Sequence, residues 1–230
     1  MVETDMENST LDFTQSHFSS WLPSIQNYLW ADVFTRAWQI GREIIEGHRS
    51  EGIYEVLDYE STLEIHDAKG TRATFKKVKK VRYLQDNIIA FQDYAWGDGE
   101  ILLNYRTNRG KPVDWYRSGF KTYILLSLRD VKNKGDTDEF NIQWDIRRGF
   151  LTKDGYWGTD ISQRTKHLKV NVIFPTSRSP VHLAIEESNR KSNIVLGREA
   201  LKQLPDGRWL VTWETNQPRL YELYVVRWIW

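Results

Sequence analysis

From Gly52 onward, apolar and polar side chains alternate with a period of two through most of the chain, which is the spacing of strands with one buried face. Phe140, Ile142, Trp144 and Ile146 alternate strictly with Asn141, Gln143, Asp145 and Arg147; Leu168, Val170, Val172 and Phe174 repeat the pattern and stop at Pro175. Upstream, Leu57, Tyr59, Ser61, Leu63 and Ile65 predict one face of a long strand, with Asp67-Ala68-Lys69-Gly70 as its hairpin turn. Thr71 to Leu84 then returns, Asn87 to Tyr94 follows, and Gly97-Asp98-Gly99 turns into Glu100 to Tyr105, so that an antiparallel meander is expected. Lys121 to Arg129 predicts an apolar strand, and Val181, Leu183 and Ile185 another. Shorter segments surround Ile194 and Leu201, Asp206-Gly207 is a turn, and the final alternating runs lie on either side of Gln217-Pro218. Arg106 to Gly119 predicts a long connection, Lys132 to Asp138 a charged loop, and Lys153-Asp154-Gly155-Tyr156 a turn.

Before Gly52 the period is helical. Phe18, Leu22, Ile25, Leu29, Val33, Ala37, Ile40 and Ile44 recur at intervals of three and four, Pro23 suits a first turn, and Gly47 suits a helix stop. An amphipathic helix packed across a sheet is expected. The alternative is a helix that docks on a partner or a membrane surface, and acidic Asp32, Glu43 and Glu46 oppose the membrane version. The resulting fold class is mainly β: an antiparallel meander and a β-sandwich with an N-terminal amphipathic helical segment. Residues 1–10 read as a flexible tail, 11–119 as helix plus meander, and 120–230 as the sandwich, unless both halves feed one continuous sheet.

Composition narrows the function classes. Lys and Arg number 32 and Asp and Glu 31, for a net charge of +1, so no long-range field singles out nucleic acid or an anionic membrane. The absence of cysteine excludes disulfides, thiolate metal sites and thiol nucleophiles. No run approaches the roughly 20 apolar residues of a membrane span, and the acidic, polar start is unlike a secretory signal, so a cytoplasmic location is expected. Eleven Trp, eleven Tyr and nine Phe predict aromatic packing in the core.

One basic run stands out, Lys76-Lys77-Val78-Lys79-Lys80 followed by Arg82. Alternation places Lys76, Val78, Lys80 and Arg82 on one face and Lys77 and Lys79 with Phe75, Val81 and Tyr83 on the other. A lysine-protected edge strand is the expected explanation, with a phosphate or nucleic-acid contact as the alternative. Asp93, Asp98 and Glu100 lie near two turns, where turn chemistry competes with a hard-cation site. Trp96, Tyr105, Trp115 and Tyr116 add aromatic surface there, and the candidate binding residues are Trp96, Asp98, Trp115, Tyr116 and Arg117. His17, His48, His66, His167 and His182 form no metal-binding spacing. Nucleophile elbow, Walker loop and dinucleotide fingerprint are all absent, and no catalytic residue, metal or cofactor is expected.

Two stretches, YEVLDYESTLEIHD with RATFKKVKKVRYLQDNIIAFQDYAWGDGE, and DGRWLVTWETNQPRLYELYVVRWIW, resemble uncharacterised bacterial proteins that join a helix to a β-sandwich and are associated with signalling ATPases and effector or protease modules. The resemblance implies an accessory or interaction role and transfers no catalytic residue. The function expected is therefore that of a non-enzymatic protein-binding or adaptor module with a protein partner. The alternatives are a β-barrel that binds a small hydrophobic ligand or lipid, and a hydrolase using Asp93, Asp98 and Glu100.

Overall fold

A computed structural model describes residues 52–230. The helix expected over 11–46, the tail before it, and His17 and His48 lie outside the described residues. The strands are β1 (Tyr54–Ile65), β2 (Arg72–Tyr83), β3 (Ile88–Ala95), β4 (Glu100–Thr107), β5 (Lys111–Ser118), β6 (Lys121–Lys132) and β7 (Thr137–Arg147), then β8 (Asp154–Asp160), β9 (His167–Phe174), β10 (His182–Glu187), β11 (Ser192–Val195), β12 (Leu201–Gln203), β13 (Trp209–Asn216) and β14 (Leu223–Ile229). They form three sheets: β12-β13-β9-β1-β2-β7-β4, β11-β10-β14-β8 and β3-β6-β5. The fold is mainly β with antiparallel pairing, apart from β1 and β9, which run parallel. Among the described residues no helix is long and apolar enough to cross a membrane.

The β1–β2 hairpin closes as its turn chemistry dictates. The Asp67 carboxylate accepts from the backbone N–H of Lys69 (3.0 Å), Thr71 (3.1 Å) and Arg72 (2.9 Å), while Gly70 takes φ 68°. A bulge between Val56 and Asp58 rotates Leu57 out of phase, so the inward face of β1 is Tyr54, Val56, Tyr59, Ser61, Leu63 and Ile65. The run of neighbouring strands stops at this hairpin, because β3 pairs with β6 in another sheet and β4 pairs with β7.

Every long strand of the seven-stranded sheet turns its apolar set to one face. Lys77 stands opposite Ser61 and Ile142, Phe75 opposite Leu63 and Trp144, and Val172 opposite Leu63 and Val211. The two smaller sheets cover that face. The three-stranded sheet seats Phe91 on Phe140 (ring centroids 3.8 Å) and Tyr54 (5.0 Å). The four-stranded sheet seats Trp157 on Phe75 (4.6 Å), and Trp228 on Phe174 (5.2 Å) and Phe150 (5.9 Å). One contiguous core runs from Tyr54 to Trp228, and the large sheet draws strands from both sides of residue 119.

Four expectations are corrected. β2 is not an edge strand: it lies between β1 and β7, and Lys77 and Lys79 are 2% and 4% exposed. The connection over 106–119 contains β5, paired along its length with β6. The turn expected at Lys153–Tyr156 is the start of β8, whose glycines hid it. A Cβ at Gly155 would overlap the Trp228 indole and one at Gly158 the Trp96 indole, so these glycines make room for the two rings against the strand. Val181, expected to face inward, precedes β10 and is exposed.

Candidate functional site

The seam between the two small sheets carries two unusual features, an aromatic cleft at one end and a cluster of buried charges beside it. The cleft, of about 280 Å³, is walled by Trp96 from the end of β3, Asp98 from the following turn, Arg148, Phe150 and Leu151 from the loop after β7, and Tyr156 from β8. Gly99 (φ 78°) passes so close to the Arg147 carbonyl that a side chain there would collide with it, and this fixes the turn that presents Asp98. The Tyr156 hydroxyl donates to Asp98 Oδ2 at 2.8 Å, and that bond, with partial burial, raises the tyrosine pKa. Phe120, in the β5–β6 turn, extends the aromatic wall edge-on to Trp96 (6.1 Å) and is 70% exposed. Leu151 and Tyr156 are exposed as well. The rim is thus apolar, with two carboxylates, Asp98 and Asp154, and the Arg148 guanidinium around it.

Of the residues singled out from the sequence, Trp96 and Asp98 meet in this cleft, whereas Trp115, Tyr116 and Arg117 lie in β5, on the rim of the three-stranded sheet. Trp115 packs edge-on against Tyr105 (5.1 Å). Tyr116 stacks on Tyr123 (5.1 Å) and accepts a 2.5 Å hydrogen bond from Gln92. Arg117 is exposed and donates to the Gly119 carbonyl at 3.3 Å. Asp93, grouped with Asp98 and Glu100 in the sequence, points into the protein and is fully buried, while Glu100 is exposed at the start of β4. Among the described residues, no group of three or more His, Asp or Glu side chains is placed to hold a metal ion.

The charge cluster sits where all three sheets meet. Lys77 Nζ contacts Asp93 Oδ1 and donates to the Tyr94 carbonyl at 2.8 Å; Tyr105 donates to Asp93 Oδ2 at 3.1 Å. Lys121 donates to Asp160 Oδ2 at 2.5 Å, and the Tyr94 hydroxyl donates to the Asp160 carbonyl at 3.1 Å, tying β3 and β6 to β8. Burial works against the Asp160 carboxylate, yet the Lys121 hydrogen bond and charge hold its pKa below the ordinary value. Burial, with Asp93 next, pushes the Tyr105 phenol well up. Lys79 behaves oppositely: burial, then the Lys77 charge, lowers its pKa from the ordinary 10.5 to about 8, against the pull of Asp93 and Asp160.

This sets a sign for stability. Below about pH 8 the buried Lys79 cation carries its full desolvation cost; between about 8 and 10.5 the unfolded chain binds the proton that the folded one has released, so stability from this group rises with pH. Lys79→Met is therefore expected to stabilise the fold at pH 7 by on the order of 1–3 kcal/mol, an advantage that fades as pH approaches 10.5. Urea midpoints of both proteins across that range measure it, and a destabilised variant at pH 7 would show that the ammonium is held favourably.

The buried cluster was not anticipated as a site, although its signal stood in the sequence: Lys77 and Lys79 share a strand face with Phe75, Val81 and Tyr83, and Asp93 shares one with Phe91 and Ala95. Opposite charges on the apolar faces of two strands imply a buried pair. No protein-family model and no curated protein matches the chain.

Proposed function

We propose that the protein is a non-enzymatic binding module, acting as an adaptor in the cytoplasm, that grips a protein segment in the Trp96–Tyr156 cleft. The observation that supports this is the apolar rim formed by exposed Phe120, Tyr156 and Leu151 with half-buried Trp96, bordering a concave site with charges at its margin. Exposed aromatic patches edged by polar groups are where proteins take partners, and Trp, Tyr and Arg supply most of the energy when they do. Asp98 and Asp154 favour a segment that carries a basic residue next to its apolar anchor. Against the alternative of an internal lipid site, the space between the sheets is filled by Phe91, Phe140, Trp144 and the charge cluster.

The reading is tested with a displayed peptide library selected on the full chain. Recovered peptides are expected to be apolar with a basic flank, and to bind about tenfold or more weaker to Phe120→Ser and to Tyr156→Ala, about 1.4 kcal/mol or more. Arg117→Ala, on β5, serves as the control that leaves them unaffected. Peptides that bind both cleft variants as tightly as the parent would put recognition elsewhere.

A further inference from the structure

The Trp96–Tyr156 cleft runs along the edge of a strand. β8 ends the four-stranded sheet and pairs only with β14, and five consecutive residues of it, Asp154 to Gly158, line the cleft. They include Trp157, which belongs to the core, and Tyr156, which is exposed, so the cleft borders the flank of the strand rather than one face. The ladder fixes which backbone groups point there. The Lys153 carbonyl accepts from the Trp230 N–H (3.2 Å) and the Ile161 N–H donates to the Glu222 carbonyl (2.9 Å). With the register unbroken between them, the odd-numbered residues bond to β14, and the even-numbered ones turn N–H and C=O the other way. At its two ends that outward set is engaged: the Asp160 carbonyl accepts from the Tyr94 hydroxyl (3.1 Å), and the Asp154 carbonyl from Thr152 Oγ1 (2.6 Å). Between them, Tyr156 and Gly158 each turn a donor and an acceptor to the cleft, with no backbone partner among the described residues.

A strand flank left open in this way accepts a further strand, and proteins usually guard it with lysine, proline or a bulge. At other edges of this fold the guards are present: β5 carries Lys111, Pro112 and Arg117, and β4 is broken by two register shifts. The stretch from Asp154 to Gly158 has neither lysine nor proline. Resting on the assignment of the cleft as the binding site, we propose that the partner segment enters as an extended strand and pairs with β8, adding a fifth strand to the four-stranded sheet. Its main chain answers the free groups of Tyr156 and Gly158, and about five residues of it span the cleft. One set of alternate side chains meets the wall of Trp96 and Tyr156 and the other that of Phe150, while Asp98 and Asp154 receive a basic residue. A helical segment bonds its own main chain and would leave these four backbone groups unanswered.

The probes are the library peptides whose binding to the full chain falls with Phe120→Ser. Each is resynthesised with a single N-methyl group at every backbone nitrogen in turn, and affinities are read by fluorescence polarisation. Methylation is expected to weaken binding about tenfold or more at every second position and to be tolerated between, because alternate N–H groups of a strand face the same way. In the full chain, amide exchange at Tyr156 and Gly158 should slow on saturation with peptide, whereas Gly155 and Trp157, bonded to β14 in either state, should keep their rates. A methylation profile without alternation, or unchanged exchange at Tyr156 and Gly158, overturns strand addition and leaves the cleft assignment standing. A selection that yields no peptide sensitive to Phe120→Ser overturns both.

Discussion

Replacing Lys77 by methionine is expected to cost about 3–5 kcal/mol of folding free energy, the usual consequence of stranding one member of a buried ion pair. Asp93, its partner, is fully buried, and its remaining support would be the Tyr105 hydroxyl and the charge of Lys79. An isolated carboxylate in that position escapes its desolvation cost by taking up a proton, so the deficit should be smaller in acid than at neutral pH. Urea denaturation of the variant at about pH 5 and about pH 7 reads both effects. Adding Asp93→Leu should restore part of the loss, because the double change removes both charges together. A single variant within about 1 kcal/mol of the parent would mean that the pair contributes little to holding the three-stranded sheet in place.

The second large effect is expected at Trp228. Its indole is 2% exposed, lies on Gly155, and packs against Phe174, Phe150 and Trp230. Trp228→Ala removes one of the two tryptophans, with Trp157, that join the four-stranded sheet to the rest and should cost about 3–5 kcal/mol. The loss should also be localised. Hydrogen exchange is expected to accelerate first in β8, β10 and β14, while β1, β2 and β7 keep their protection. Uniform acceleration across all three sheets would show that they open as one unit.

Most of the strands are legible in the sequence because their burial follows the period of two, as in β7, where Asp138, Phe140, Ile142, Trp144 and Ile146 face inward and their neighbours outward. The failures each have a physical reason. β5 reads as a loop because Lys111, Pro112, Asp114 and Arg117 are poor strand formers, and pairing with β6 overrides that preference. β8 is hidden by Gly155 and Gly158, whose missing side chains are supplied by Trp228 and Trp96 from elsewhere. The lysines of β2 resemble the protection of an edge, and only the pairing of β2 with both β1 and β7 shows them to be interior. Two of the cleft residues, Trp96 and Asp98, could be found from the sequence, where they lie close together. Tyr156, Arg148 and Phe120 join it through sheet packing, which alternation along one strand does not encode.

The parallel pairing of β1 with β9 brings together segments such as Asp58 and His167, 109 residues apart along the chain. On the ribosome the β1–β2 hairpin emerges before β9, and one flank of β1 then waits, its backbone donors and acceptors unpaired, until β9 has been translated. A nascent chain of this protein is consequently most open to wrong pairing in mid-synthesis, and a helper that shields that flank would raise its yield more than any gain in final stability.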